Sequence, residues 1–127
     1  MPAPLVSTTS EAAASANVGG LLIGADSFFF FRTERLAAVA LRHRLPALFG
    51  FREFAVAGGL ISYGASPAEQ HRIVGHYIGR ILKGEKPANL PVQQSTKVEL
   101  IVNLKAAKAL GLSIPLPILG RADEVIE

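Results

Sequence analysis

The sequence predicts an α/β fold with a largely parallel sheet, and three observations carry the prediction. Short apolar runs bounded by glycine or proline, such as Gly20-Leu21-Leu22-Ile23-Gly24, have the unbroken hydrophobicity of strands buried on both faces. Other stretches space their apolar residues three and four apart, the clearest being the one opened by Ser66-Pro67-Ala68-Glu69. The two kinds of segment alternate along the chain, the order that layered α/β domains produce.

Taken in order, residues 1–10 are rich in Pro, Ser and Thr and are expected to fray, while Glu11 to Asn17 is an alanine-rich helix or the stump of one. The run Gly20 to Gly24 is the first strand. Thr33 to Arg44 reads as a helix that stops before Pro46, with Leu36, Val39, Ala40 and His43 on one face. Pro46 to Gly50 is a second strand and Leu60 to Tyr63 a third. Between them, LFGFREFAVAGGLISYG (residues 48–64) is expected to run strand, charged lip, glycine turn, strand. Ser66 caps a long helix, Pro67 suits its first position, and Glu69 completes a capping box. Ile73, Val74, Tyr77, Ile78, Ile81 and Leu82 continue that helix, and Lys83-Gly84 ends it. Val98 to Val102 is a fourth strand. Asn103 then caps a short helix closed by Gly111. The tail from Ile114 to Glu127 carries no comparable signal.

Composition narrows the function. A chain of 127 residues buries roughly two thirds of its unfolded surface, enough for one core. Half of its residues are hydrophobic and 18% are charged, which excludes general disorder. A net charge of +3, with Arg32, Arg35, Arg42 and Arg44 clustered but not interleaved with aromatics, argues against nucleic acid. The absence of cysteine removes disulfides, thiol catalysis and thiolate metal sites. The first 20 residues have no basic n-region and no apolar h-region, so no export signal is expected. No apolar stretch is long enough to cross a bilayer.

Catalytic signatures are sparse. His71 and His76 lie five apart, not the i, i+4 of a chelating pair, and no metal or cofactor is expected. No G-x-S-x-G elbow and no phosphate-cradling glycine loop is present. Asp26 and Glu53 could in principle pair for acid–base work, but no spacing brings them to one bond, so no enzyme is expected. In parallel sheets, ligands bind outside the carboxyl ends of the strands. Those ends are Asp26-Ser27, Phe51-Arg52-Glu53 and Tyr63 to Ser66. Arg52-Glu53 is either a solvated turn or a cleft lip. The run Phe28 to Phe31 is either core or the wall of a ligand cleft.

Three stretches make a family resemblance specific: GFREF with AGGLISYG, ILKGEKPANLPV, and NLKAAKALGL followed by RADEVIE. From Val18 to Glu127 the chain resembles the C-terminal half of ABC-transporter substrate-binding proteins of the tryptophan/tyrosine type. The resemblance implies a type I periplasmic-binding-protein-like, Rossmann-like lobe, with residues 18–127 forming part of it and residues 1–17 a flexible or helical remnant. It implies a small, possibly amino-acid-like solute, a membrane permease as partner, and a periplasmic or cell-envelope location. Mapped by position, Asp26 and Ser27 stand where the family has an acidic residue followed by Pro or Asn facing the cleft. Phe51, Arg52 and Glu53 match its second cleft segment, and Tyr63 the approach to the long helix. Asp26 would then meet a cation and Arg52 an anion, with Phe28, Phe51 and Tyr63 as apolar walls. A full member is longer, so a fragment is expected, one that exposes sheet edges and assembles as a homo-oligomer, by domain swapping among other routes. The second reading is a structural, self-assembling piece that keeps the fold without the binding.

Overall fold

The computed structural model describes residues 11–127. The expectation for residues 1–10 lies outside the described residues. Residues 11–15 form a short helix (α1). Strand β1 (Leu21–Ile23) leads through α2 (Ser27–Phe30) and α3 (Thr33–Arg42) to β2 (Ala47–Phe49). Helix α4 (Arg52–Val56) then connects to β3 (Ile61–Ala65), and α5 (Pro67–Leu82) with a 3-10 turn at Pro87–Asn89 leads to β4 (Val98–Asn103). Helices α6 (Leu104–Leu110) and α7 (Leu116–Leu119) precede β5 (Glu124–Ile126).

The five strands form one sheet in the order β1-β2-β3-β4-β5. β1, β2 and β3 are parallel, β4 reverses against β3, and β5 runs parallel to β4. The sheet is therefore largely parallel, as expected, with one reversal after the long connection through α5. Side chains alternate across a pleated sheet, so the register separates two rows. Ile23, Phe49, Ser62 and Ile101 share one face; Leu22, Leu48, Ile61 and Val102 share the other.

The main core lies on the first face. Ile23, Ala47 and Phe49 from the sheet meet Leu36, Ala37 and Ala40 of α3 and Phe54 of α4. A second, smaller cluster joins Leu60 to Ala106 and Ala107 of α6, with Ile61, Leu110 and Ile114 against it. Asn103 ties these parts together: its side chain accepts from Ala106 N at 3.0 Å, capping α6, and donates to Ala55 O of α4 at 2.8 Å. Gly111 closes α6 at φ +70°, where a β-carbon is strained.

Four expectations need correction. Arg52 and Glu53 are not in an irregular turn between strands; they open helix α4, whose turn buries Phe54 and Ala55 completely. The buried stripe of α3 is Thr33, Leu36, Ala37 and Ala40, displaced from the one expected, with Thr33 Oγ1 donating to Phe30 O at 2.6 Å. Glu69 does not close the capping box at α5. Its carboxylate is taken by Arg72 (2.6 and 2.9 Å), and the Ser66 amide donates to Lys97 O of the neighbouring segment instead. The tail, finally, is ordered as α7 and β5.

Candidate functional site

The carboxyl ends of β1 and β2 open onto two adjoining cavities that share Phe30 and Phe31. The smaller, about 310 Å³, gathers Asp26, Ser27 and Phe51 with Gln70 and His71 from the first turns of α5. The larger, about 670 Å³, lies between the same two rings and Arg52, Glu53 and Val56 of α4, with Thr33 and Glu34 of α3.

Asp26 is placed by what it does for the backbone. It stands in extended conformation just after β1, and its Oδ1 accepts from Phe28 N at 2.7 Å, capping α2. Its other oxygen makes no hydrogen bond among the described residues and remains available to a donor. That cap turns the phenylalanine run into a helix, which sends the four rings in different directions. Phe28 and Phe29 pack against the core, and the Arg32 guanidinium sits 3.9 Å over the Phe28 ring. Phe30 and Phe31 reach the cavities, and Phe31 is 79% exposed.

The exposed ring is not isolated. Phe31 meets Phe30 at 5.5 Å, Phe30 meets Phe51 at 4.7 Å, Phe51 meets Phe49 at 5.0 Å and Phe49 meets Phe54 at 5.8 Å. All four contacts are edge-to-face, the arrangement that the ring quadrupoles favour. A continuous aromatic chain thus runs from solvent to the fully buried Phe54. The Phe51 end is held by a close approach of main chains. A β-carbon on Gly64 would collide with the backbone of Gly50, which fixes the loop after β2 against β3.

Arg52 is engaged within the fold. Its guanidinium makes a bidentate ion pair with Glu124 of β5, one arm at 3.1 Å and the other shorter. The hydrogen bonds from Arg52 hold the Glu124 carboxyl below its ordinary value of 4.5, and Glu124 in turn raises Arg52. A carboxylate whose folded value is depressed contributes stability above its unfolded value and loses it as pH falls through the folded one. The pair is half exposed, so its contribution is small and weakened by salt. NMR titration is expected to find Glu124 protonating on the acid side of ordinary glutamates, and Arg52→Gln to return it to the ordinary range.

The structure thus brings Asp26, Ser27 and Phe51 into one cavity, and Arg52 and Glu53 into its neighbour. Phe28 packs half-buried against the core, and Tyr63 stands 56% exposed in the Ile61–Tyr63 row on the opposite face of the sheet; neither lines the two cavities. Gln70 and His71 went unread in the sequence. Their signal was positional: one turn past Pro67, a helix that starts at a strand's carboxyl end presents residues to the same ligand edge. Among the described residues no three His, Asp or Glu gather as a metal set, and no helix is long and apolar enough to cross a membrane.

Three comparisons place this geometry among known proteins. A model of the family described as ABC transporter substrate binding protein matches residues 5–126. A conserved domain protein from Vibrio cholerae has the same fold with a TM-score of 0.86 at 24% identity, over 94% of this chain and 40% of that one. The ABC domain from Streptococcus pneumoniae in complex with L-Trp gives 0.85 at 25% identity, over 95% of this chain and 42% of that one. The ligand-free, open structure of CD0873, a substrate binding protein with adhesive properties from Clostridium difficile, gives 0.64 at 21%. The search of curated proteins found no match. The chain spans about two fifths of the length of these structures. With the match extending over almost every residue, the chain belongs to the ABC transporter substrate-binding protein family.

Proposed function

We propose that this chain carries one wall of the solute site of an ABC importer and takes a small amino-acid-like solute through the cavity at Asp26. The observation that carries the reading is the meeting of an unshared carboxylate oxygen with the Phe30, Phe31 and Phe51 rings at the carboxyl edge of a parallel sheet. An ammonium group satisfies the first and an apolar or aromatic side chain the second. The L-Trp complex of the pneumococcal relative supports the same solute class. The role is capture and presentation to a membrane permease outside the cytoplasm, with no bond made or broken and no cofactor. Arg52 serves as an anion partner only if a solute carboxylate competes with Glu124 for its fork.

The chain contains no tryptophan, so the fluorescence of added L-Trp reports its own environment. Emission is expected to shift to the blue on binding. Asp26→Asn keeps a competent helix cap but removes the charge, and should weaken the interaction about ten- to a hundredfold. An unshifted L-Trp spectrum with the parent chain, together with no heat of binding in calorimetry across an amino-acid panel, would sink the reading. The second reading, a self-assembling piece that does not bind solute, has its own support in the sparsely covered row of Leu22, Leu48 and Ile61. Light scattering that shows a homo-oligomer with no solute taken up would favour it.

A further inference from the structure

An amino-acid-like solute carries two charges, and Asp26 answers only the ammonium. A carboxylate drawn into a cavity of about 310 Å³ without donors gives up its hydration and gains nothing in return. The arginines at this end of the sheet are committed elsewhere. Arg52 lines the other cavity, and its guanidinium is held by both carboxylate oxygens of Glu124. The Arg32 guanidinium lies over the Phe28 ring and donates to Phe28 O at 2.8 Å. What α5 brings to the Asp26 cavity instead is a pair of side-chain donors, Gln70 and His71.

These two follow Pro67 by three and four positions, so they stand on one face of the helix, one turn in. Neither side chain has a hydrogen-bond partner among the described residues. Their turn is fixed from behind. Ser66 is 8% exposed, its Oγ accepts from Glu69 N at 3.5 Å, and its own amide donates to Lys97 O at 3.3 Å. Glu69, the one acidic residue of α5, has its carboxylate taken by Arg72 at 2.6 and 2.9 Å. The positive end of a 16-residue helix adds to the preference for an anion there.

We infer that Gln70 and His71 form the anion half of the solute site, an assignment that rests on the reading of Asp26 as the ammonium partner. The solute carboxylate takes its hydrogen bonds from the Gln70 amide and the His71 imidazole, not from Arg52. With Asp26 and these donors lining one small cavity, the site selects free α-amino acids and discriminates against amines that lack the carboxyl group. The rings of Phe30, Phe31 and Phe51 then meet the solute side chain.

Titration calorimetry on the 127-residue chain tests this with matched pairs: L-Trp and tryptamine, L-Phe and phenethylamine, L-Leu and isoamylamine. Each amine keeps the ammonium and the side chain and lacks only the carboxylate. In the pair that binds best, the amino acid is expected to bind roughly tenfold or more tighter than its amine. In the Gln70→Ala/His71→Ala double variant that ratio should fall to near one. Gln70→Glu puts a carboxylate where the amide stood and should reverse the preference, a change of sign that loosened packing does not produce. Equal binding of amine and amino acid by the parent chain would overturn this inference and leave the Asp26 subsite standing. So would a ratio that survives the double variant; its collapse in Arg52→Gln would then assign the carboxylate to Arg52. No heat of binding from any member of the pairs would overturn it together with the proposed function.

Discussion

Phe54→Ala is expected to lower the stability of the chain by about 3–5 kcal/mol, close to the whole margin of many domains of this size. The ring is fully buried and stands edge-on to Phe49, and it fills the space above Gly59 so completely that a β-carbon there would overlap it. Truncation removes the transfer energy of the ring and leaves a void in the tightest part of the core. Urea unfolding checks this: the midpoint should fall steeply while the slope stays that of the parent. A loss under about 1 kcal/mol would mean that α4 collapses into the void, and that the core is softer than its packing indicates. The loss should reach the site as well, because Phe54 terminates the aromatic chain that supports Phe51 and Phe30.

Asn103→Ala is the second large effect, expected at about 2–4 kcal/mol from a lost helix cap together with a buried carbonyl stripped of its side-chain donor. Asn103 is only 4% exposed, and its one amide serves two elements, α6 through Ala106 N and α4 through Ala55 O. Asn103→Asp separates the two roles. It keeps the acceptor for the cap and loses the donor to α4, so hydrogen exchange at Ala57 and Gly58 should quicken while the amides of α6 stay protected. If both elements loosen equally in the Asp variant, the contact to Ala55 is not what holds α4.

These two residues also show what the sequence could and could not tell. Asn103 was readable as a helix cap from its neighbours, as were Ser66, the glycine-bounded β1 and the Gly111 stop, because those signals are local. That Asn103 also reaches Ala55, 48 positions away, was not readable, and neither was the Arg52–Glu124 pair, 72 positions apart. Helix α4 was missed for a related reason. Five residues are too few to show a period, and the apolar Phe54-Ala55 between charges and glycines reads equally well as a turn until the sheet beneath it is known. In the site, the strand-end rule located Asp26, Ser27 and Phe51 without reference to side-chain direction. It could not foresee that capping of α2 by Asp26 would turn Phe28 inward and leave Phe30 and Phe31 at the cavities. Tyr63 shows the same limit, since a shift of one residue along a strand changes the face.

The reversal at β4 has a practical corollary. Because β4 and β5 run against β1–β3, Ile126 lies level with the start of β3, and the chain also enters β1 at that end of the sheet. Both leave the sheet on the side away from Asp26 and Phe51. A surface tether or fusion attached after Glu127 would therefore hold the molecule by its base, with the candidate cavity facing outward.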